Sequence, residues 1–208
     1  MKKYIIVTIL LILLMLVSTN LVGFAGEKII KLAWTEDIDG MDPYDDQTYL
    51  NMMLYYMLYD RLVDLDPEDD TGTKFVPALA TEWEISPDAK EYTFKLRKGV
   101  KFHNGETFDA ECVKVSLERL INDKTLRAAA QWPDLKEVEV VDDYTVIIRF
   151  DGPNVVCLHN LIQVPIIPAE TFKEKAEDMF LDNAIGTGAF TWDHWKRGQE
   201  IVINKNMD

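Results

Sequence analysis

Residues 96–120 read LRKGVKFHNGETFDAECVKVSLERL, and the fold follows from how this stretch divides. Its head closes a strand. Tyr92, Phe94 and Leu96 alternate with polar neighbours, the period of two that marks a half-buried β-strand. Gly105 then supplies a turn, because glycine enters left-handed backbone at no steric cost. From Asp109 to Ile121 the period becomes helical, with Val113, Leu117 and Leu120 on one side. Thr107 and Asp109 stand where an N-cap is needed, each with a side-chain oxygen able to accept an orphan N–H of the first turn. A strand, a glycine turn and a capped amphipathic helix in immediate succession point to mixed structure, with Phe94, Phe102 and Val113 as core candidates.

Working upstream, Trp83 and Ile85 alternate with Glu82 and Glu84 and pair with Tyr92–Leu96 as a hairpin that turns over Ser86–Lys90. The run Pro77-Ala78-Leu79-Ala80 is expected to form one helical turn. Asp66–Thr73, with Pro67 and Gly72, reads as a turn after a short strand, Leu62–Leu65. Between Gln47 and Leu62, Leu50, Met53, Leu54, Met57 and Leu58 recur at helical spacing, and Tyr49, Tyr55, Tyr56 and Tyr59 widen the stripe. Core packing is the simpler use of that stripe, a ligand surface the other. Thr35–Asp46 is an acidic loop, and Ile29–Trp34 an expected strand. Downstream, Val138 and Val140 face Tyr144, Val146, Ile148 and Phe150 across an Asp142-Asp143 turn. Short helices are expected over Val155–Ile162 and from Pro168 to Met179. A last hairpin, Phe190–Trp195 with Glu200–Asn204, turns at Arg197-Gly198. The class is α+β, antiparallel hairpins with intervening helices.

The N-terminus carries Lys2 and Lys3, an apolar run from Tyr4 to Val17, and Gly23-Phe24-Ala25. That is the layout of a cleaved secretory signal peptide over residues 1–25, too short in its apolar part to span a bilayer. No lipid-accepting cysteine follows it, so the mature chain, residues 26–208, is expected free in the periplasm or the medium. The chain holds 22 Lys+Arg against 36 Asp+Glu, a formal net charge of −14. Losing the leader removes two lysines and no acid, leaving about −16. Such a charge excludes nucleic acid as a partner, since phosphate binding needs clustered cations. It suits solubility in an exposed compartment. Cys112 and Cys157 fit no metal-ligand spacing. They are read as small buried hydrophobes, with a disulfide as the alternative in an oxidising compartment.

No catalytic signature is present: no G-x-S-x-G, no H-E-x-x-H, no P-loop and no dinucleotide glycine fingerprint. No catalytic residue, metal site or cofactor is therefore assigned. Cys157 and His159 lie close in sequence, but on a helix positions i and i+2 do not share a face. Of the paired acids, Asp45-Asp46, Asp69-Asp70 and Asp142-Asp143 fall in turns, where aspartate favours the backbone geometry. Glu36-Asp37 is the exception. It follows the first expected strand, where a binding crevice opens in α/β sheets, and an acid there would meet a ligand's amino group.

Residues 96–120 resemble the signature of the extracellular solute-binding proteins of family 5, the peptide, dipeptide and nickel binding proteins of ABC importers. The resemblance lies in Leu96-Arg97, Gly99-Val100, Phe102-x-x-Gly105, Ala110-x-x-Val113 and Ser116-x-x-Arg119, with Cys112 where the family commonly has Asp. Three further segments agree in order: Gly40-Met-Asp-Pro43, Pro77-Ala-Leu-Ala-Thr-Glu-Trp83 and Gly186-Thr-Gly-Ala-Phe190. The resemblance implies a type II periplasmic-binding-protein-like fold of which this chain holds an incomplete first lobe, the C-terminal lobe being missing. It implies a protein that is not an enzyme and that captures a peptide or other small ligand by hinge closure. Its partners would be that ligand and ABC permease subunits in the membrane, the receptor itself being a monomer. Under this reading Glu36 and Asp37 would meet an amine, Ile38 would offer backbone, Trp132 would line the cavity, and Thr187 sits in the glycine-rich segment. Two other readings stand beside it. One is a remnant or interaction protein presenting an unpaired sheet edge. The other is an exported hydrolase, which would need two carboxylates converging in a cleft.

Overall fold

The structure is a computed structural model that describes residues 29–45, 48–181 and 183–207. The leader over residues 1–25 lies outside the described residues. The chain divides into two units, Met1–Thr35 and Glu36–Asp208. In the first, residues 29–34 carry no strand, contrary to the sequence expectation, and Ile29, Ile30 and Leu32 are exposed. Apolar periodicity proposes a strand, but a strand exists only with a ladder partner, and these residues have none among those described.

The second unit begins with α1, Tyr49–Leu58, capped by Thr48, whose hydroxyl accepts from Asn51 N–H. It buries Asn51, Leu54, Tyr55 and Leu58 and leaves Tyr49 and Tyr56 exposed, so only part of the tyrosine stripe enters the core. Next, β1, Val63–Leu65, pairs with β2, Phe75–Pro77, across the Asp66–Lys74 turn. Inside that turn Asp69 accepts the N–H groups of Thr71, Thr73 and Lys74. The expected helical turn at Pro77–Ala80 does not form. Leu79 N–H donates to Arg61 C=O, Ala80 N–H to Leu62 C=O, and Arg97 N–H to Leu79 C=O. These bonds to neighbouring segments hold the backbone extended, and local propensity yields to them.

The largest sheet is antiparallel, with order β3-β4-β6-β5. Its strands are β3 (Ala80–Ile85), β4 (Glu91–Leu96), β5 (Leu135–Asp142) and β6 (Thr145–Phe150). The register sets Tyr92 opposite Ile148 and Phe94 opposite Val146, with Val138 across from Ile148 on the far side. All five side chains are buried. Under this face lies α2, Ala110–Asn122, packed on β5 and β6 with Val113, Leu117 and Leu120 fully enclosed. The other face is charged: Arg149 bridges Glu91, Glu137 and Glu139. After α2 come a 3-10 helix, Arg127–Gln131, and, beyond the sheet, α3 (Cys157–Leu161) and α4 (Ala169–Lys175). A second 3-10 helix, Ala176–Phe180, precedes the closing hairpin of β7 (Phe190–Lys196) and β8 (Glu200–Lys205). One cluster of buried residues runs from Ile38 to Ile185. Among the described residues no helix is long and apolar enough to cross a membrane.

Candidate ligand-binding site

Asp37 is committed to protein donors. Its Oδ1 accepts from its neighbour Ile38 N–H (3.0 Å) and from the Trp195 indole (2.9 Å), and its Oδ2 accepts from Gly198 N–H (2.6 Å). Gly198 sits between β7 and β8 with φ +68°, left-handed backbone that glycine tolerates best. The carboxylate therefore clasps the hairpin turn. Desolvation pushes its pKa up, but the bonds from Gly198, Trp195 and Ile38, helped by the Arg197 charge, outweigh it and hold the group below the usual range. Ile38 gives its N–H to this clasp and its side chain to the core, 3 % exposed. Glu36, beside them, keeps its side chain in solvent.

Thr187 lies between two glycines pressed on α1. A Cβ at Gly186 would meet Leu58 O at 2.1 Å, and one at Gly188 would meet Met57 O at 2.6 Å. Main chain packs directly on main chain here, and Gly188 N–H donates to Leu58 C=O (3.0 Å). His103 closes the other side. Gly186 N–H donates to its Nδ1 (3.3 Å), so Nε2 carries the hydrogen and donates to Gly188 C=O (3.1 Å). Between the glycines, the Thr187 hydroxyl donates to Asp60 Oδ2 (2.9 Å). Burial raises the Asp60 pKa despite that bond.

Trp132 is placed apart from both groups. Its ring stacks on Phe150 with centroids 6.2 Å apart and 15° between planes, and it is 1 % exposed. Sequence reasoning thus named residues that fall into three environments: the Asp37 clasp, the glycine seat around Thr187, and the core stack of Trp132.

The segments that carry the family resemblance meet in space. Arg119, in the Ser116-x-x-Arg119 run, holds Asp42 of Gly40-Met-Asp-Pro43 with two bonds (3.1 and 2.7 Å) and also reaches Glu177 (2.7 Å). Tyr44, Phe172 and Phe180 surround its guanidinium at 4.7–5.0 Å. Ser116 Oγ accepts from Ile167 N–H (3.0 Å). Arg97 Nε donates to Ala78 C=O (3.0 Å) in the Pro77–Trp83 run. Most of the recognisable residues are therefore scaffold. Both cysteines are free and buried. Their thiols are pushed up by burial, Cys112 to about 12. No group of three or more His, Cys, Asp or Glu able to hold a metal ion occurs among the described residues.

Sequence reasoning passed over one arrangement. Beside α1, a shallow open hollow is lined by Arg61, Tyr56, Met52, Gln163, Pro43 and Pro165. The Arg61 side chain is 7 % exposed, lies 3.7 Å over the Tyr56 ring, and makes one side-chain hydrogen bond, Nη1 to Asp64 (3.3 Å). Nothing in the local pattern Tyr59-Asp60-Arg61-Leu62 signals this, because Pro43, Gln163 and Pro165 are brought in from elsewhere in the chain.

Comparison with known proteins places these observations in a lineage. Residues 74–208 match the family model described as bacterial extracellular solute-binding proteins, family 5 middle. The chain is 35 % identical to the probable D,D-dipeptide-binding periplasmic protein of Escherichia coli strain K12, over 73 % of this chain and 30 % of the relative. It is 32 % identical to the glutathione-binding protein of Pectobacterium atrosepticum, over 79 % of this chain and 32 % of the relative. Among solved structures it is similar to the ABC transporter-associated periplasmic binding protein of Helicobacter pylori in complex with a peptide. The TM-score there is 0.71 at 31 % identity, covering 83 % of this chain and 38 % of that one. The chain thus spans about a third of the length of the relatives it matches.

Proposed function

Since this chain belongs to the bacterial extracellular solute-binding proteins of family 5, we propose that it is part of a receptor that captures a peptide or related small ligand outside the inner membrane and delivers it to ABC permease subunits. The family binds solutes for transport and does not catalyse. The observation that carries the reading is the joining of the four signature segments in one body, through Arg119–Asp42, Arg97–Ala78 and the bonds of His103 to Gly186 and Gly188. That body has the type II periplasmic-binding-protein architecture of its structural relatives. Within it, Glu36 is the acid we assign to a ligand amine, while Asp37, named with it from the sequence, holds the β7–β8 turn. Thr187, seated between its glycines, and the backbone about Ile38 are further ligand contacts under this reading, and Trp132, set apart from them in the core, is a structural support of the lobe. Residues 1–25 act as the leader, residues 26–208 form the N-terminal portion of the receptor, and the working receptor is monomeric.

A hydrolytic role draws nothing from the paired acids. Asp69 and Asp142 spend their oxygens on the N–H groups of their own turns. Uptake tests the transport reading. A strain lacking the gene is expected to accumulate less labelled di- or tripeptide, with recovery on complementation. Unchanged uptake across peptides and other small carboxylate-bearing solutes would leave the remnant or interaction reading in its place.

A further inference from the structure

The buried Arg119 guanidinium serves two carboxylates at once. Asp42 takes a bond from each of its Nη groups, and Glu177 shares Nη2 at 2.7 Å. Glu177 also comes within hydrogen-bonding reach of Asp42 itself. One cation balances one anion, so a second carboxylate pressed on the first leaves an excess negative charge where little water can screen it, and a single proton held between the two removes it. Asp42 is gripped by both arms of the fork and Glu177 by one, so the proton falls to Glu177. Partial burial, with the Asp42 charge beside it, keeps the Glu177 carboxyl above the usual 4.5 despite the pull of Arg119.

Glu177 belongs to the second 3-10 helix, whose root is strained. Ala176 has φ +48° and ψ −132°, backbone that a residue with a Cβ enters at a cost. Besides Glu177, the segment is fastened by Met179 and Phe180, both buried, with the Phe180 ring 6.4 Å from that of Phe172. The other charged and titratable groups nearby are spoken for or turned away. On α2, Asp123 accepts from Thr125. On α4, Lys173 is paired with Glu170 and Glu111. The Tyr44 hydroxyl donates to Pro165 C=O, and Glu174, Lys175 and Asp178 are exposed. Among the described residues Glu177 has no cation but Arg119.

We propose that Ala176–Phe180 is a pH-sensitive strap: Glu177 latches it to Asp42 and Arg119 while it carries a proton, and releases it about Ala176 when the proton leaves to solvent. In the latched form the neutral carboxyl donates to Asp42, and Asp42 keeps its two bonds to Arg119. In the released form two anions compete for one guanidinium, and the strain at Ala176 favours opening. A carboxyl raised in the folded state stabilises most below its unfolded value, and that contribution is lost as pH climbs through the raised one. The strap is therefore closed in acid and loosens toward neutrality. The device goes beyond the receptor reading, and success or failure of peptide uptake neither supports nor removes it.

The test is native-state hydrogen exchange on the full chain, corrected for the intrinsic pH effect, from about pH 4 to about pH 8. The Met179 and Phe180 amides are expected to exchange severalfold faster at the upper end. Gly188 N–H, bonded to Leu58 C=O in the core, should not change with them. Glu177→Gln, a neutral side chain that can still donate to Asp42 and accept from Arg119, should keep both strap amides slow at every pH. In the unsubstituted chain, the ¹³C shift of the Glu177 carboxyl should titrate with the same midpoint as the exchange. Exchange at Met179 and Phe180 that is flat with pH overturns the proposal. So does the same rise in Glu177→Gln, a Gly188 amide that opens in step, or a carboxyl midpoint that differs from that of the exchange.

Discussion

At the scale of single residues, the decisive pairings lie far apart in the chain. Arg119 and Asp42 are separated by 77 positions. Helical periodicity placed Arg119 on α2, but it could not show that the side chain is buried among Tyr44, Phe172 and Phe180, because none of these is within a helical turn of it. Removing one partner of a buried ion pair strands the other charge. Arg119→Ala is therefore expected to lower unfolding stability by about 3–5 kcal/mol in urea titrations, while Arg149→Ala, on the solvated sheet face, should lower it by about 1 kcal/mol or less. Trp132 illustrates the same blindness. Its position after α2 was legible, but the Phe150 ring beneath it comes from the end of β6. Glu36 and Asp37 were noticed as an acid pair, yet the separate role of Asp37 depends on Trp195 and Gly198, more than 150 residues away.

At the scale of elements, the sequence was most readable where the periodic pattern and the turn chemistry agreed. The hairpins β3–β4, β5–β6 and β7–β8 and the helix α2 all form close to their expected bounds. Asp109 caps α2 by accepting from Cys112 N–H (3.2 Å), and Asp109→Ala should cost about 1 kcal/mol in the same titration. Pattern failed where partners decide, at residues 29–34 and at Pro77–Ala80. The β7–β8 turn makes a pH-dependent prediction. The Asp37 pKa is lower folded than unfolded, so its stabilising contribution is complete above the ordinary aspartate value of 3.8 and fades as pH falls through the depressed folded value. Hydrogen exchange at Gly198 N–H, corrected for the intrinsic pH effect, should accelerate only in that acid range. In Asp37→Ala it should be fast at every pH. A Gly198 amide that stays equally protected in the variant would show that the hairpin holds its turn without the clasp.

At the scale of the whole molecule, a single core ties the sheets and helices together, and this gives the cysteines a shared fate. Cys112 and Cys157 are 1 % and 0 % exposed, with both thiols shifted up by burial. Neither is expected to react with an aromatic disulfide reagent in the native chain, and both should react at once in urea. Reaction of one thiol without denaturant would mean that part of the core opens independently. The glycine seat bears on how far the molecule can be altered by design. Gly186 and Gly188 meet the end of α1 mostly backbone to backbone, with the Tyr59 ring also pressed on Gly186, so neither position has room for a side chain of its own. Thr187 can then be randomised by an engineer while the platform under it stays put, whereas a library at 186 or 188 should return glycine codons alone after selection for folding. A new side chain can be written at one position without redrawing the frame that carries it.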